Sequence, residues 1–157
     1  ISGRLVAPAE PRVASFGNTV TYSYHPVACA VADKVLGILE EEKLVARAAE
    51  MGDVLAEELA RLAGHPLVGD IRGLGLFHAL ELVRDKASKE PFEPEDQITK
   101  RVLLECWSRG VSLYSGVGCA DGKRGDLLMV SPPFIVTHEQ IKEIVDVLEV
   151  SLDACMT

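Results

Sequence analysis

No C-x-x-C pair occurs in this 157-residue sequence, although it carries four cysteines, Cys29, Cys106, Cys119 and Cys155. Their scatter argues against a zinc site and against a disulfide framework, and favours a reduced, cytoplasmic setting. Cys29 and Cys106 fall in apolar helical patterns and are expected as buried thiols. No basic run extends beyond Lys123-Arg124, and the formal net charge is −8. That balance argues against nucleic acid as a partner. No apolar stretch approaches membrane-spanning length, so no membrane partner is expected, and the opening ISGRLVAP does not read as a secretory signal. The first residue is not methionine, and the chain reads as an internal piece of something longer. No internal repeat or low-complexity linker interrupts it.

What is present is enough apolar material for a real core, 48% of the residues. Residues 4–6 read as a short strand before a proline-bearing turn. A polar loop at 16–25 then runs into Pro26, which suits a first helical turn because its missing N–H has no partner to lose there. The helix that follows is Ala-rich, with Val27, Ala30, Val31, Val35, Ile38 and Leu39 recurring at helical spacing. Its small residues on several faces predict close packing against other backbone. Glu40 to Lys43 form a polar break. Residues 44–62 form an amphipathic pattern through Val45, Ala49, Val54, Leu55, Leu59 and Leu62, stopped by Gly64-His65-Pro66.

Residues 68–83, VGDIRGLGLFHALELV, read as strand, Gly-rich turn and strand, hence a hairpin. A charged loop with two prolines leads to a helix at 97–108 whose Ile98, Val102, Leu103 and Cys106 share a face. Gly110 ends it in the left-handed conformation. A strand at 111–114, a Gly-rich excursion SGVGCADGKRGD and a strand at 127–130 follow. Thr137 caps the last helix, with Gln140 three residues on completing a capping box. Ile141, Ile144, Val145, Leu148 and Leu152 line that helix. The order helix, helix, strand, strand, helix, strand, strand, helix predicts an α+β fold, a small and mainly antiparallel sheet with helices on one face.

The loop before the first helix offers Thr19, Thr21, Tyr22 and Ser23, four hydroxyls in five residues. Such a loop can hold an anion, or simply satisfy local backbone. The word order F-x-x-x-x-T-Y-S-x-H-P-x-A-C-A-x-A, from Phe16 to Ala32, resembles the class III aminotransferases, pyridoxal-phosphate enzymes of fold type I. Two later segments resemble the same family: H-P-L-V-G-D-I-R-G-L-G-L-F-H-A-L-E-L-V and L-M-V-S-P-P-F-I-V-T-H-E-Q-I-K-E-I-V.

The resemblance implies the end of a large cofactor-binding domain at residues 1–40 and a small C-terminal domain at 41–157, the latter including the long connecting helix. It implies pyridoxal 5'-phosphate as cofactor. It also implies a homodimer in which Thr21, assisted by the backbone of Val20, reaches the phosphate bound by the partner. The implied activity is transfer of an amino group between an amine or amino acid and a keto acid or aldehyde. Alternatives are a non-catalytic assembly module of the same fold, or a related aminomutase or decarboxylase. The family's Schiff-base lysine lies upstream of the strand that ISGRLVAP resembles. The seven lysines here fall on polar helix faces or in loops, so no catalytic residue is assigned within the chain.

Many relatives carry a carboxylate-binding arginine where Tyr114 stands, so the resemblance makes Tyr114 a substrate-binding position with altered acceptor choice. Lys123 or Arg124 could replace the missing charge, although a solvated turn is the favoured reading. Arg72 can pair a substrate carboxylate or tie a strand to its neighbour, and the second is favoured. Gly73 and Gly75 serve a turn, since no helix follows them to hold a phosphate. His25 is expected to be buried and hydrogen-bonded in its loop or to line a subunit interface, His78 is read as packing, and neither belongs to a metal motif. Glu81 is expected to pair with an arginine.

Overall fold

The computed structural model describes residues 21, 22 and 24–156. The expected strand at 4–6 and Val20 lie outside these residues. The chain divides into two compact units, one ending at Glu41 and the other beginning at Glu42.

The described part of the first unit is a turn and one helix, α1 (Pro26–Glu41). The His25 amide donates to the Tyr22 carbonyl at 3.2 Å, and the His25 carbonyl accepts from the Cys29 amide at 2.9 Å, starting the helix. Pro26 sits at the first helical position, as its fixed φ favours. The helix has no buried residue, and Val27, Val31, Val35 and Leu36 are all exposed. One expectation is corrected here: Cys29 is exposed rather than buried. His25 is exposed too, its hydrogen bonding confined to the backbone.

The second unit is α+β. Its elements are α2 (Leu44–Ala60) with a 3-10 turn (Arg61–Gly64), β1 (Val68–Leu74), β2 (Phe77–Leu82), a 3-10 turn (Pro94–Asp96), α3 (Ile98–Ser108), β3 (Tyr114–Val117), β4 (Asp126–Val130) and α4 (His138–Ala154). The four strands form an antiparallel sheet in the order β1-β2-β4-β3. Side chains alternate faces along a strand. His78, Leu80 and Leu82 of β2, with Leu128 and Val130 of β4, point to the helical side and are buried. Leu80, Leu82, Leu128 and Val130 join Met51, Leu55 and Leu59 of α2, Ile98, Val102 and Cys106 of α3, and Ile141, Val145, Leu148 and Leu152 of α4 in one core. The other face carries Leu74, Phe77 and Tyr114, which are exposed.

The helical faces need one correction. The buried stripe of α2 is Leu44, Met51, Gly52, Leu55 and Leu59, whereas Val45 is 74% exposed. Apolar spacing alone admits both phases; the sheet selects the one that carries Gly52. A Cβ on Gly52 would lie 2.4 Å from the Gly75 backbone, so α2 touches the hairpin turn backbone to backbone. Gly75 itself has φ +57°, the positive value that a two-residue hairpin turn requires at its first central position. Gly110 is also left-handed, at φ +87°, and closes α3 as its position predicts. Thr137 and Gln140 form the capping box of α4, with the Gln140 amide donating to Thr137 Oγ1 at 3.3 Å.

Candidate functional site

The strand expected at 111–114 begins only at Tyr114. Val111, Ser112 and Leu113 belong to no strand and have no ladder partner, and β3 runs on through Ser115, Gly116 and Val117 instead. The reason lies across the sheet. Tyr114 pairs with Met129, and two residues past Val130 the opposing chain reaches Pro132 and Pro133. On that register Pro132 would face Val111, and a proline has no N–H to give a ladder, so the strand cannot extend to 111. A cleft of about 360 Å³ opens there. It is lined by the stretch 110–114, by the end of β4 with Ser131, Pro132 and Pro133, by Val136, and by Gln140, Glu143 and Ile144 from the start of α4.

Tyr114 stands at the rim, 71% exposed. The polar groups around the cleft are Ser112, Tyr114, Ser131, Gln140 and Glu143, and no lysine, arginine or histidine is among the lining residues. Such a surface offers hydroxyls and one carboxylate, and it suits a neutral or cationic guest better than a carboxylate.

The basic residues singled out in the sequence go elsewhere. Arg124 Nε meets Asp121 Oδ2 at 2.9 Å, and its Nη1 lies 3.2 Å from Glu90 Oε1 and 3.4 Å from Glu93 Oε1. The Arg124 and Lys123 amides donate to Asp121 Oδ1 at 2.7 and 2.9 Å. Those bonds, with the Arg124 amide foremost, hold the Asp121 carboxyl at about 2. Arg124 therefore fastens its own loop to the one at 90–93. Arg72 Nη1 pairs with Asp70 Oδ2 at 2.7 Å and Glu81 Oε2 at 3.3 Å, tying β1 to β2 across the exposed face. Glu81 pairs with an arginine as expected.

His78 packs at the hairpin, only 5% exposed, and its Nδ1 has no hydrogen-bond partner among the described residues. Burial lowers its pKa below the usual histidine range, outweighing a hydrogen bond with the Gly75 backbone. Thr21 lies exposed in the turn ahead of α1, whose first turn carries no acidic residue. Among the described residues no group of three or more His, Cys, Asp or Glu could hold a metal ion. No helix there is long and apolar enough to cross a membrane.

Sequence reasoning singled out Tyr114, which lines this cleft, but did not single out its other polar lining residues. Ser131, Gln140 and Glu143 sit in a turn and on a helix whose local patterns speak only of capping. Arg47 was missed as well. It lies on α2, yet Nε donates to the Phe134 carbonyl at 2.9 Å and Nη2 to the Val136 carbonyl at 2.7 Å. Nothing near position 47 in the sequence signals a reach of nearly ninety residues.

This arrangement is one with known kin. The sequence pattern of the family described as aminotransferase class-III matches residues 5–152. The chain belongs to that family. An uncharacterized aminotransferase of Schizosaccharomyces pombe is 44% identical over 149 residues, covering 94% of this chain and 32% of the relative's length. A thermostable (S)-enantioselective omega-transaminase from Thermomicrobium roseum has a similar structure, with TM-score 0.77 and 34% identity over 91% of this chain and 30% of its own. An amine transaminase from an uncultivated Pseudomonas species, solved in its pyridoxal phosphate-bound form, gives TM-score 0.76 and 35% identity over 89% of this chain and 30% of its own. The chain spans between about a quarter and a third of the length of the curated relatives it matches.

Proposed function

We propose that the protein containing this chain is a pyridoxal-phosphate-dependent aminotransferase of class III, moving an amino group between an amine or amino acid and an aldehyde or keto acid. The observation that carries this beyond family membership is the cleft beside Tyr114, walled by hydroxyls and Glu143 and without a cationic lining residue. In this reading the protein is a cytoplasmic homodimer. Residues 1–40 end its large domain, and 41–157 form the small domain that shapes the substrate mouth. The exposed apolar side of α1 is then covered by other parts of the assembled enzyme.

The cofactor's ring, when bound, serves as an electron sink for the reacting carbon. The residues of this chain fit its phosphate. Thr21 presents a hydroxyl in an exposed turn just ahead of a helix N-terminus that carries no acidic residue in its first turn. Thr21, with the Val20 amide, holds the phosphate bound by the partner subunit. Tyr114 orients the substrate by a single phenolic hydrogen bond, and Glu143 favours a positively charged amine at the mouth.

The test uses the full-length protein, supplied with pyridoxal phosphate. Amino transfer from a primary amine to an aldehyde is expected. Thr21→Ala is expected to weaken cofactor binding by about 1.5–3 kcal/mol, the worth of one hydrogen bond to a charged group, with the fold intact. Absence of amino transfer in the folded, cofactor-loaded protein would sink the reading, and unchanged cofactor affinity would remove Thr21 from the site.

A further inference from the structure

We propose that Arg47 is a positioning residue for the substrate cleft, acting through the loop at 132–136; this role rests on the functional reading above. That loop is short of donors. Pro132 and Pro133 carry no N–H, and the loop's own backbone bond is a single one, from the Val136 amide to the Pro133 carbonyl at 3.0 Å. The carbonyls of Phe134 and Val136 are taken by one guanidinium, at 2.9 and 2.7 Å. A rigid planar fork suits two acceptors at a fixed separation, which a lysine ammonium cannot match.

Packing does not replace it at the outer end of the turn. Phe134 is 44% and Ile135 70% exposed, whereas Val136 at 2% anchors the inner end. The helix that presents Arg47 is itself held in the core by Leu44, Met51 and Leu55. Arg47 does not line the cleft; Pro132, Pro133 and Val136 do, opposite Tyr114. Arg47 thus fixes the wall against which Tyr114 works. Without it the wall loosens and the guest is bound less tightly.

The experiment compares wild type, Arg47→Met and Arg47→Lys in the full-length, cofactor-loaded enzyme. Steady-state kinetics with the amine donor are paired with amide hydrogen exchange. In Arg47→Met the donor KM is expected to rise roughly tenfold while kcat stays within about twofold, the pattern of lost uniform binding. Exchange at the Val136 amide should quicken while the centres of α2 and α4 keep their protection. Arg47→Lys, which keeps charge and stem, should fall between. If Arg47→Met does not fold, Arg47→Lys carries the test, with a KM increase of about threefold or more expected. Unchanged exchange at Val136 overturns the fastening, and quicker exchange with an unmoved KM overturns the link to substrate. A wild type that does not transaminate defeats the functional reading and this role together. A wild type that does, with KM unmoved in the variants, defeats only this role.

Discussion

In the proposed function, a single side chain sets which acceptors the cleft favours. Tyr114 is a neutral phenol at the rim, and Arg124, the nearest candidate to supply the missing charge, is already engaged by Asp121, Glu90 and Glu93. Lys123 is exposed and does not line the cleft. Replacing Tyr114 with arginine therefore adds the first cation to that wall. In the full-length enzyme the ratio of kcat/KM for pyruvate over that for a simple aldehyde should rise by about tenfold or more, since one decade corresponds to about 1.4 kcal/mol and a bidentate carboxylate contact exceeds that. The paired kinetic measurement on wild type and Tyr114→Arg reads this directly. A flat ratio in a folded, cofactor-binding variant would mean that the guanidinium does not reach the substrate.

At the scale of elements, the controlling contact is between α2 and the β1–β2 hairpin. Glycine in a helix interior costs up to about 1 kcal/mol relative to alanine, so propensity alone favours Gly52→Ala. The geometry points the other way. The added methyl would sit 2.4 Å from both the Cα and the carbonyl carbon of Gly75, and backbone cannot rotate aside as a side chain can. Forcing α2 off the hairpin would also disturb His78, whose ring already crowds Gly73. Overpacking of this kind costs roughly 1–3 kcal/mol, which exceeds the propensity gain. Gly52→Ala is expected to lower the urea midpoint with an unchanged denaturant slope. A midpoint that rises would show that the helix can retreat without loss.

For the whole molecule, the pH dependence of stability follows from one buried imidazole and several exposed carboxylates. The folded-state pKa of His78 lies below its unfolded value, so the unfolded chain binds more protons as pH falls. Stability is complete above the usual histidine value of about 6.5, declines as pH drops through it, and stops declining from this source below the depressed folded value. Asp121, Asp70, Asp85 and Glu139 have lowered values as well, and their contribution is present above the ordinary carboxylate range and lost beneath it. These groups are exposed or nearly so, and solvent screening keeps that second loss small. Unfolding free energy measured between pH 7.5 and 5 should therefore fall, and His78→Leu should flatten that slope because the neutral side chain removes the proton-linked difference. An unchanged slope in the variant would exclude His78 as its source.

The sequence by itself determined the order of elements, the hairpin with its glycines, the left-handed Gly110, the Thr137–Gln140 cap and the family. All but the family rest on neighbours within a few residues, where backbone sterics and local hydrogen bonds act; the family rests on ordered motifs along the chain. It also marked Tyr114, through a motif read in one dimension. The tertiary structure alone decided which phase of the α2 pattern is buried, because Gly52 permits a backbone approach that no apolar count records. It decided that β3 does not reach back to 111, where Pro132 would stand opposite Val111 with no N–H for the ladder. It assigned Arg124 and Arg72 to structural ion pairs, and it brought Arg47 to carbonyls far away in the chain. Long charged side chains find partners through space, and only the packing of helices on the sheet fixes which acceptors lie within their reach.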